Sequence, residues 1–243
     1  MFRMGIAAVL LCLAPALAAA DEAAIRRVME SKLGGAKVEG IVAAPVSGLY
    51  EVRYRAQDGV HVFYTDANAN YIISGKIFEA RTSRNLTEES LRKLNAVDFG
   101  ALPLAQAVKV QRGSGKRVLV MFSDPYCPYC QRFEKALQQV EDITIYVFMY
   151  PVIRPELKEQ SRAVWCSPDR AKAWLDLALH QKPPAVAAAC DDPVEKNVQL
   201  GRTLGVSATP TLILPNGEKI SGGLEADDLR HLLDQAMAQA KTR

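Results

Sequence analysis

One stretch decides the fold of this chain: Val118-Leu-Val-Met-Phe-Ser-Asp-Pro-Tyr-Cys127-Pro-Tyr-Cys130-Gln-Arg-Phe-Glu-Lys-Ala-Leu137. Its first five residues are an apolar run with two valines, which predicts a short buried strand. Ser, Asp and Pro then end the run. After Cys130, apolar residues recur at spacings of four and three, as on one face of a helix. The two cysteines therefore lie where a strand gives way to a helix.

The position of this cysteine pair has chemical consequences. The first N–H groups of a helix have no partner within the helix and lie at the positive end of its dipole, so a thiolate is stabilised there. Cys127 is at or just before the first helical residue, and Cys130 lies about one turn further in, towards the core. We predict that Cys127 is an exposed nucleophile and that Cys130 is a shielded resolving thiol.

The pair has two other interpretations, half of a zinc site and a purely structural bridge. A zinc site needs a second ligand pair at matching spacing. Cys166 and Cys190 are too far apart in the sequence to be that pair, and no histidine neighbours a cysteine. The pattern favours redox chemistry of the thiols themselves, with no metal and no other cofactor.

The beginning of the chain is typical of a signal peptide. Residues 1–20 contain Arg3 as the charged start, an apolar core over 6–17 and three alanines as a cleavage site before Asp21. The apolar core is short for a membrane anchor. Cys12 lies inside this segment, and we exclude it from the function.

Composition limits the classes of partner. Removing residues 1–20 from the 243 leaves 223 residues and four cysteines, enough for one large or two smaller domains. A secreted chain enters an oxidising compartment, where disulfides persist. Only Arg3 among the charged residues is removed, so the formal net charge falls from +3 to +2. Without a basic run, the sequence gives no indication of a nucleic-acid partner.

Residues 21–82 are predicted to form a small α+β domain. An amphipathic helix over 21–33 precedes alternating strands over 50–54 and 60–65 and a further strand over 71–78. A module of this size buries little core alone, and no catalytic constellation is visible in it. The last strand has a weakly protected edge, so we predict that it pairs with a second copy and that the module is a dimerisation domain.

The second domain is predicted to span residues 104–243. A helical linker, residues 83–103, with its helix over 85–98, leads into it as a semi-rigid spacer. The domain begins with a strand near 105–110, and the apolar run 143–152 predicts another strand. That run, the central strand and the cysteine helix make a βαβ unit with a parallel strand pair.

The last part of the second domain is predicted to contain a helical insertion, then a β-hairpin of the sheet and a closing helix. A largely helical insertion over about 156–204 contains Cys166 and Cys190. Thr209-Pro210 then opens a β-hairpin, and a closing helix is predicted over 225–240.

This order of elements resembles an α/β thioredoxin fold with a helical insertion. Together with the signal peptide, the small α+β domain and the linker helix, the whole chain resembles the periplasmic disulfide isomerases of the DsbC/DsbG family. The specific matches are Phe-Ser-Asp-Pro-Tyr-Cys127-Pro-Tyr-Cys130, Ala163-Val-Trp-Cys166 with Cys190, Leu204-Gly-Val-Ser-Ala-Thr-Pro210, and Ala44-Pro-Val-Ser-Gly48. Enzymes of the DsbC type carry Gly-Tyr between the cysteines, whereas Pro-Tyr is the DsbG-type dipeptide. The pair Cys166 and Cys190 indicates DsbC instead.

The resemblance implies a thiol:disulfide interchange enzyme. Cys127 and Cys130 would attack non-native disulfides of misfolded or mis-oxidised secreted proteins and shuffle or reduce them. The family is a periplasmic homodimer with two catalytic domains facing a shared cleft. Because the enzyme must start reduced in an oxidising compartment, an inner-membrane electron donor similar to DsbD is also implied.

The resemblance also assigns a substrate-binding surface. In the thioredoxin fold the bond corresponding to Thr209–Pro210 is cis and lies beside the cysteine pair. Pro210 has no N–H, while the backbone of Thr209 can pair with an extended substrate segment. Pro128 and Tyr129, between the two cysteines, are predicted to contact the substrate as well.

Two questions stay open at this point. Cys166 and Cys190 are predicted to form a structural disulfide, against the alternative of two free buried thiols. The function has two alternatives too, a DsbG-like reductase of sulfenylated cysteines and a holdase chaperone with secondary redox activity.

Overall fold

The computed structural model describes residues 14–34, 36–56, 59–185 and 190–240. It divides into two compact units, Met1–Leu91 and Arg92–Arg243, each described by itself below. Residues 1–13, and with them most of the predicted signal peptide, lie outside the described residues. Among the residues that are described, no helix is both long and apolar enough to cross a membrane.

The first unit is a helix packed on a small antiparallel sheet, as predicted. Its main elements are α1 (Ala14–Lys32), β1 (Val38–Ala43), β2 (Leu49–Ala56), β3 (Gly59–Asp66) and β4 (Ile72–Ile73). The strands are neighbours in the order β1-β2-β3-β4. Ile25 and Met29 of α1 are buried against Val38, Val52 and Phe63 of the sheet. The helix begins at Ala14 rather than at residue 21, because the alanine-rich sequence before Asp21 has high helix propensity.

The predicted continuous strand over 71–78 is wrong. Only Ile72 and Ile73 pair with β3, and Phe78–Glu79 (β5) instead forms a separate hairpin with Arg84–Asn85 (β6). The reason is a competing hydrogen bond. The Ile77 N–H donates to the Thr87 hydroxyl at 2.9 Å, so the chain leaves the sheet and turns towards the following helix.

The predicted linker helix is α2 (Leu86–Leu94), which is shorter than the predicted 85–98. Its first turns are packed on the sheet of the first unit. The Thr87 hydroxyl lies 2.6 Å from the Tyr64 hydroxyl, and the Ser90 hydroxyl donates to Glu51 at 2.8 Å. The N-terminal part of this helix is therefore held on the small domain by side-chain hydrogen bonds.

The second unit contains a five-stranded mixed sheet with helices on both faces. Its elements are β7 (Val108–Arg112), β8 (Arg117–Ser123), α3 (Pro128–Leu137), β9 (Ile143–Met149), α4 (Lys158–Cys166), α5 (Arg170–His180), α6 (Val194–Thr203), β10 (Thr211–Ile213), β11 (Lys219–Ser221) and α7 (Ala226–Ala240). The strand order is β11-β10-β8-β9-β7. Strands β8 and β9 are parallel, which confirms the predicted βαβ unit, and the other neighbouring pairs are antiparallel.

Strand β8 is buried on both faces, which explains its uninterrupted apolar sequence. Leu119 and Met121 belong to the core cluster that includes residues of α3, α5 and α7. Val120 and Phe122 belong to the cluster on the other face, where the Phe122 ring stacks on Phe148 with the ring centroids 5.0 Å apart. The carboxyl end of this central strand leads directly into the cysteine motif.

Element boundaries differ from the predictions at three places in this unit. The strand predicted over 143–152 ends at Met149. The strand expected near 105–110 begins at Val108, because a short 3-10 turn, Leu104–Gln106, precedes it. The insertion expected as largely helical over 156–204 contains α4, α5 and α6, and its described residues 181–185 and 190–193 are not helical. Cys166 ends α4, and Cys190 lies in the segment before α6.

A carboxyl group is buried in the middle of this unit. Glu134 of α3 is 2% exposed, and its Oε1 accepts a hydrogen bond from Trp174 Nε1 of α5 at 2.7 Å. Burial raises the pKa of Glu134 from an ordinary 4.5 to about 7, while the Trp174 hydrogen bond and the Arg112 charge act in the opposite direction. The active-site helix is thus joined to the insertion through a titratable contact.

This contact predicts a pH dependence of stability. Between pH 4.5 and about 7 the folded state retains a proton that the unfolded state has released. Stability from this group is therefore complete below pH 4.5 and is lost as the pH rises through 7, by up to about 3 kcal/mol. Urea unfolding at several pH values should show this loss in the wild type and not in Glu134→Gln, which keeps an acceptor for Trp174. Parallel pH profiles of the two proteins would contradict it.

Candidate active site

Cys127 is the N-cap of α3, and the helix begins at the next residue, Pro128. Proline suits the first helical position because the N–H that it lacks would have no partner there. The cap residue has extended backbone geometry, and its side chain makes no capping hydrogen bond. The sulfur of Cys127 instead lies against the chain that leads into β10, where it donates to the Thr209 carbonyl oxygen at 3.3 Å.

The two cysteines are free thiols and both are buried. Cys130 is 1% exposed, as expected for a shielded thiol. The prediction that Cys127 is exposed is wrong, since only 3% of it is accessible. The physical reason is that the segment containing Thr209 and Pro210 lies against Cys127. The Thr209 carbonyl oxygen contacts the sulfur. The peptide bond between Thr209 and Pro210 is cis.

The residues between the two cysteines face outward. Pro128 is exposed, and Tyr129 is 66% exposed, so an apolar ring lies beside the buried sulfurs. The structure thus brings together Cys127, Pro128, Tyr129 and Cys130 from one end of α3 with the cis Thr209–Pro210 segment from the far end of the chain.

Asp124 is a residue of this site that the sequence reasoning missed. Its carboxylate is fully buried and accepts three backbone N–H groups, from Tyr126 at 2.8 Å, Val152 at 2.8 Å and Ile153 at 2.7 Å. The carboxylate therefore joins the loop before Cys127 to the segment that follows β9. An aspartate directly after a buried strand and before a proline was the sequence signal for it.

Two glutamine side chains also hold the loop that precedes Cys127. The Pro125 carbonyl oxygen accepts from Gln131 Nε2 at 3.0 Å and from Gln181 Nε2 at 3.1 Å. Gln181 follows α5 in a left-handed backbone conformation. Because Gln181 is 56 positions from Pro125, no local pattern in the sequence could have indicated this contact.

The surroundings of Cys130 keep it a thiol. Burial raises the pKa of Cys130 to about 12, and the nearby charge of Cys127 adds to the rise. Hydrogen bonding from Ser123, from the backbone of Asp124 and from Thr209 favours the thiolate and limits the shift. At neutral pH Cys130 is protonated, whereas the sulfur of Cys127 lies at the start of a helix.

The other cysteine pair lies in the insertion. Cys166 and Cys190 are joined by a disulfide, with their Cα atoms 5.8 Å apart. Beside it, the Trp165 indole N–H donates to the Asp191 carbonyl oxygen at 3.1 Å. In the described part of the chain, no group of three or more histidine, cysteine or acidic residues is placed to hold a metal ion.

A dithiol at the start of a helix, with a cis-proline segment against the Cys127 sulfur, is typical of proteins that exchange thiols and disulfides on a thioredoxin-like sheet. Comparison with known families agrees. The thioredoxin-like domain family matches residues 104–237, and the disulfide bond isomerase protein N-terminal domain family matches residues 16–88.

Relatives that match most of this chain are thiol:disulfide interchange proteins. The probable thiol:disulfide interchange protein DsbC of Bordetella parapertussis is 37% identical over 207 residues, which are 85% of this chain and 72% of that protein. The thiol:disulfide interchange protein DsbC of Escherichia coli is 27% identical over 225 residues, 90% of this chain and 89% of that protein.

A solved structure is similar over about half of the chain. The disulfide interchange protein from Neisseria gonorrhoeae is 38% identical, with a TM-score of 0.53, and the match covers 56% of this chain and 98% of that one. This chain belongs to the DsbC family of thiol:disulfide interchange proteins. It is an enzyme of disulfide exchange.

The contrast between the two thiols predicts selective alkylation. Iodoacetamide at pH 7 is expected to modify Cys127 in the reduced native protein and to leave Cys130 unmodified, because burial raises the pKa of Cys130 to about 12. Peptide mass spectrometry measures both sites. In Cys127→Ser, labelling of Cys130 should begin only as the pH is raised well above neutral or after unfolding. Equal labelling of the two cysteines at pH 7 would refute this assignment.

Proposed function

We propose that the protein is a periplasmic disulfide isomerase and reductase that acts on non-native disulfides of secreted proteins through Cys127 and Cys130. The observation that carries the proposal is the contact between the Cys127 sulfur and the Thr209 carbonyl at the N-terminus of α3. A client sulfur that replaces this contact would lie beside the helix N-terminus, where negative charge on Cys127 is stabilised.

The proposed mechanism begins with attack by the Cys127 thiolate on a client disulfide. One client sulfur becomes bonded to Cys127, and the other leaves as a thiolate. In isomerisation that freed thiolate attacks another client disulfide, and a client thiolate finally displaces Cys127, so the enzyme leaves reduced. In reduction Cys130 attacks Cys127, which releases reduced client and oxidised enzyme. An inner-membrane donor similar to DsbD would then return two electrons to the dithiol.

The client is proposed to bind as an extended segment across the cis-proline. Pro210 and the backbone of Thr209 form one side of this surface, and Pro128 with Tyr129 forms the other. Apolar side chains continue it, since Val152 and Ile153 are 37% and 53% exposed. Because the Asp124 carboxylate holds the N–H groups of both residues, they are fixed relative to the loop before Cys127.

We assign a structural role to the disulfide between Cys166 and Cys190. It closes a loop across a sequence separation of 24 residues, within which all of α5 lies. In the chain-entropy model a loop of about 25 residues removes roughly 3.5 kcal/mol of unfolded-state entropy. The bond would therefore stabilise the insertion while Cys127 and Cys130 cycle between dithiol and disulfide.

We also propose that the first unit makes a homodimer through the edge at β4. This strand ends its sheet, and large apolar side chains around it are exposed, namely Tyr71, Ile72, Ile73 and Phe78. An exposed apolar edge is a template for pairing with another chain. Pairing with a second copy across a two-fold axis would cover it and would place two dithiols in one assembly.

Reactivation of a scrambled disulfide protein tests the function directly. The wild type is expected to restore activity to the scrambled protein, and Cys127→Ser is expected to lose this ability. A wild type that reactivates poorly but reduces sulfenylated thiols would favour the DsbG-like alternative, in keeping with Pro-Tyr between the cysteines. If Cys127→Ser/Cys130→Ser still suppresses aggregation, a holdase activity exists that is separable from exchange.

A substitution at Gly75 tests the dimer. Among the described residues, no atom lies within 4 Å of a Cβ built at Gly75, so Gly75→Arg should leave the fold of the first unit intact and block only the edge. Light scattering is expected to show a monomer that keeps Cys127 reactivity and simple disulfide reduction but loses isomerisation, which needs a client held through several exchanges. The matched control is Val42→Arg, on the opposite edge strand and 38% exposed, which should stay dimeric. A monomeric wild type, or a monomeric variant that still isomerises, would defeat the proposal.

A further inference from the structure

A cavity lies beside the proposed client surface, between the segment that follows β9 and helix α6. Its volume is about 210 Å³, and most of its lining is apolar, with Pro151, Val152 and Pro155 on one side and Val194 and Val198 on the other. Val194 is fully buried and Val152 is 37% exposed, so the apolar lining runs from the core to the surface. Apart from Val152, none of these residues has a role in the mechanism proposed above.

The size of the cavity limits what can bind in it. Pockets for drug-sized ligands measure about 300–1,000 Å³. A cavity of about 210 Å³ is smaller than these, and it suits a single large side chain of a bound polypeptide. An apolar side chain that leaves water for this lining gains free energy in proportion to the area that it buries.

The wall of the cavity at Val152 is joined to the loop before Cys127. The Asp124 carboxylate accepts from the Val152 N–H at 2.8 Å and from the Tyr126 N–H at 2.8 Å, directly before Cys127. This wall is therefore fixed relative to the sulfur that a client must reach.

The two walls are also joined to the chain that leads to the cis-proline. The Val206 carbonyl oxygen accepts from the Tyr150 hydroxyl at 3.3 Å, next to the first wall. The Val206 N–H donates to the carbonyl oxygen of Gly201 in α6 at 2.8 Å. Because Val206 is only four residues before Pro210, the cavity is held close in the chain to both halves of the proposed client surface.

The rim of the cavity carries a positive charge that the protein leaves unpaired. The acid of the rim, Glu195, already has two cations, since its Oε1 lies 2.8 Å from Lys158 Nζ and 3.9 Å from Arg162 Nη2. Arg202 also lines the cavity and is exposed, and within the described ranges its side chain makes no ion pair or hydrogen bond. An incoming carboxylate would meet Arg202 without displacing a partner, whereas an incoming cation would be repelled.

We propose that this cavity selects client segments by sequence. It takes a large apolar side chain of a segment whose cysteine is bonded to Cys127, and Arg202 pairs with an acidic side chain next to that apolar residue. The favoured client disulfide therefore has an apolar and an acidic residue near its cysteine in the sequence. This inference rests on the proposed function, because it needs a client held at Cys127.

Disulfide-linked peptides carrying a fluorophore and a quencher test the selection. Leu-Glu is placed at a series of distances before and after the peptide cysteine, with Ala-Glu and Leu-Lys at the same places. The rate constant with the reduced full-length protein is divided by that with glutathione, which removes the intrinsic reactivity of each disulfide. At the matching distance, Leu-Glu is expected to react about tenfold faster than Ala-Glu, from burial of the leucine. It should react about two- to fivefold faster than Leu-Lys, the range of an exposed ion pair.

Variants of α6 separate the two contacts. Arg202→Glu should reverse the preference from Leu-Glu to Leu-Lys. Val198→Phe places a larger side chain in the cavity and should remove the preference for leucine over alanine, with the fold checked by circular dichroism. The matched control is Lys196→Glu, an exposed cation on the same helix that does not line the cavity, which should keep both wild-type preferences.

The outcomes distinguish this inference from the function on which it rests. Equal relative rates for all peptides, in a wild type that still reduces the small disulfide dithiobis(nitrobenzoic acid), would overturn the inference and leave the proposed function standing. A wild type that reduces neither the peptides nor the small disulfide would contradict the proposed function itself. A charge preference that is unchanged in Arg202→Glu, or that changes equally in Lys196→Glu, would show that Arg202 does not select the client.

Discussion

Three backbone N–H groups converge on the buried carboxylate of Asp124, and the geometry of the dithiol depends on them. A carboxylate taken out of water costs several kcal/mol unless hydrogen bonds replace its hydration. Here they come from Tyr126 on one side and from Val152 and Ile153 on the other. The same interaction thus shapes the turn before Cys127 and fixes the exposed apolar residues beside it. The chain needs β8 buried on both faces to place Asp124 at this depth.

Cys127 and Cys130 are chemically identical, and their surroundings separate their roles. Only a thiolate attacks a disulfide, and we propose that the first attack is made by Cys127, whose sulfur lies at the helix N-terminus. Burial raises the pKa of Cys130 to about 12, so this thiol is protonated at neutral pH. In the proposed mechanism, the attack by Cys130 on a client bound to Cys127 is intramolecular and gains from proximity. The burial of Cys130 would slow this attack and give a client time to rearrange its own disulfides.

The sequence predicted those parts of the fold that depend on local patterns. The strand–cysteine–helix order, the parallel βαβ unit and the helix on a small sheet all follow from periodicity and breakers over a few residues. Two of the failures depend on side-chain and backbone contacts outside the local pattern. The strand predicted over 71–78 is interrupted by the Thr87 side chain on the next helix, and Cys127 is buried by a carbonyl 82 positions away. Hydrophobic patterning carries no information on such polar contacts. The sequence over residues 71–78 is still rich in residues that favour strands, and the sequence around Cys127 still looks like the start of a helix, so neither gives a local warning.

The insertion contacts the segment around the dithiol at two points, and its disulfide lies close to both of them in the sequence. From α5, Trp174 donates to Glu134 beyond Cys130, and the following Gln181 donates to the Pro125 carbonyl before Cys127. The loop closed by Cys166 and Cys190 contains all of α5, so a constraint on that loop is also a constraint on both supports of α3. An exchange enzyme exposes its own disulfides to thiolates. The hydrogen bond from the Trp165 indole to the Asp191 carbonyl joins the residues next to this disulfide, so one tie across the loop would persist if the bond were reduced.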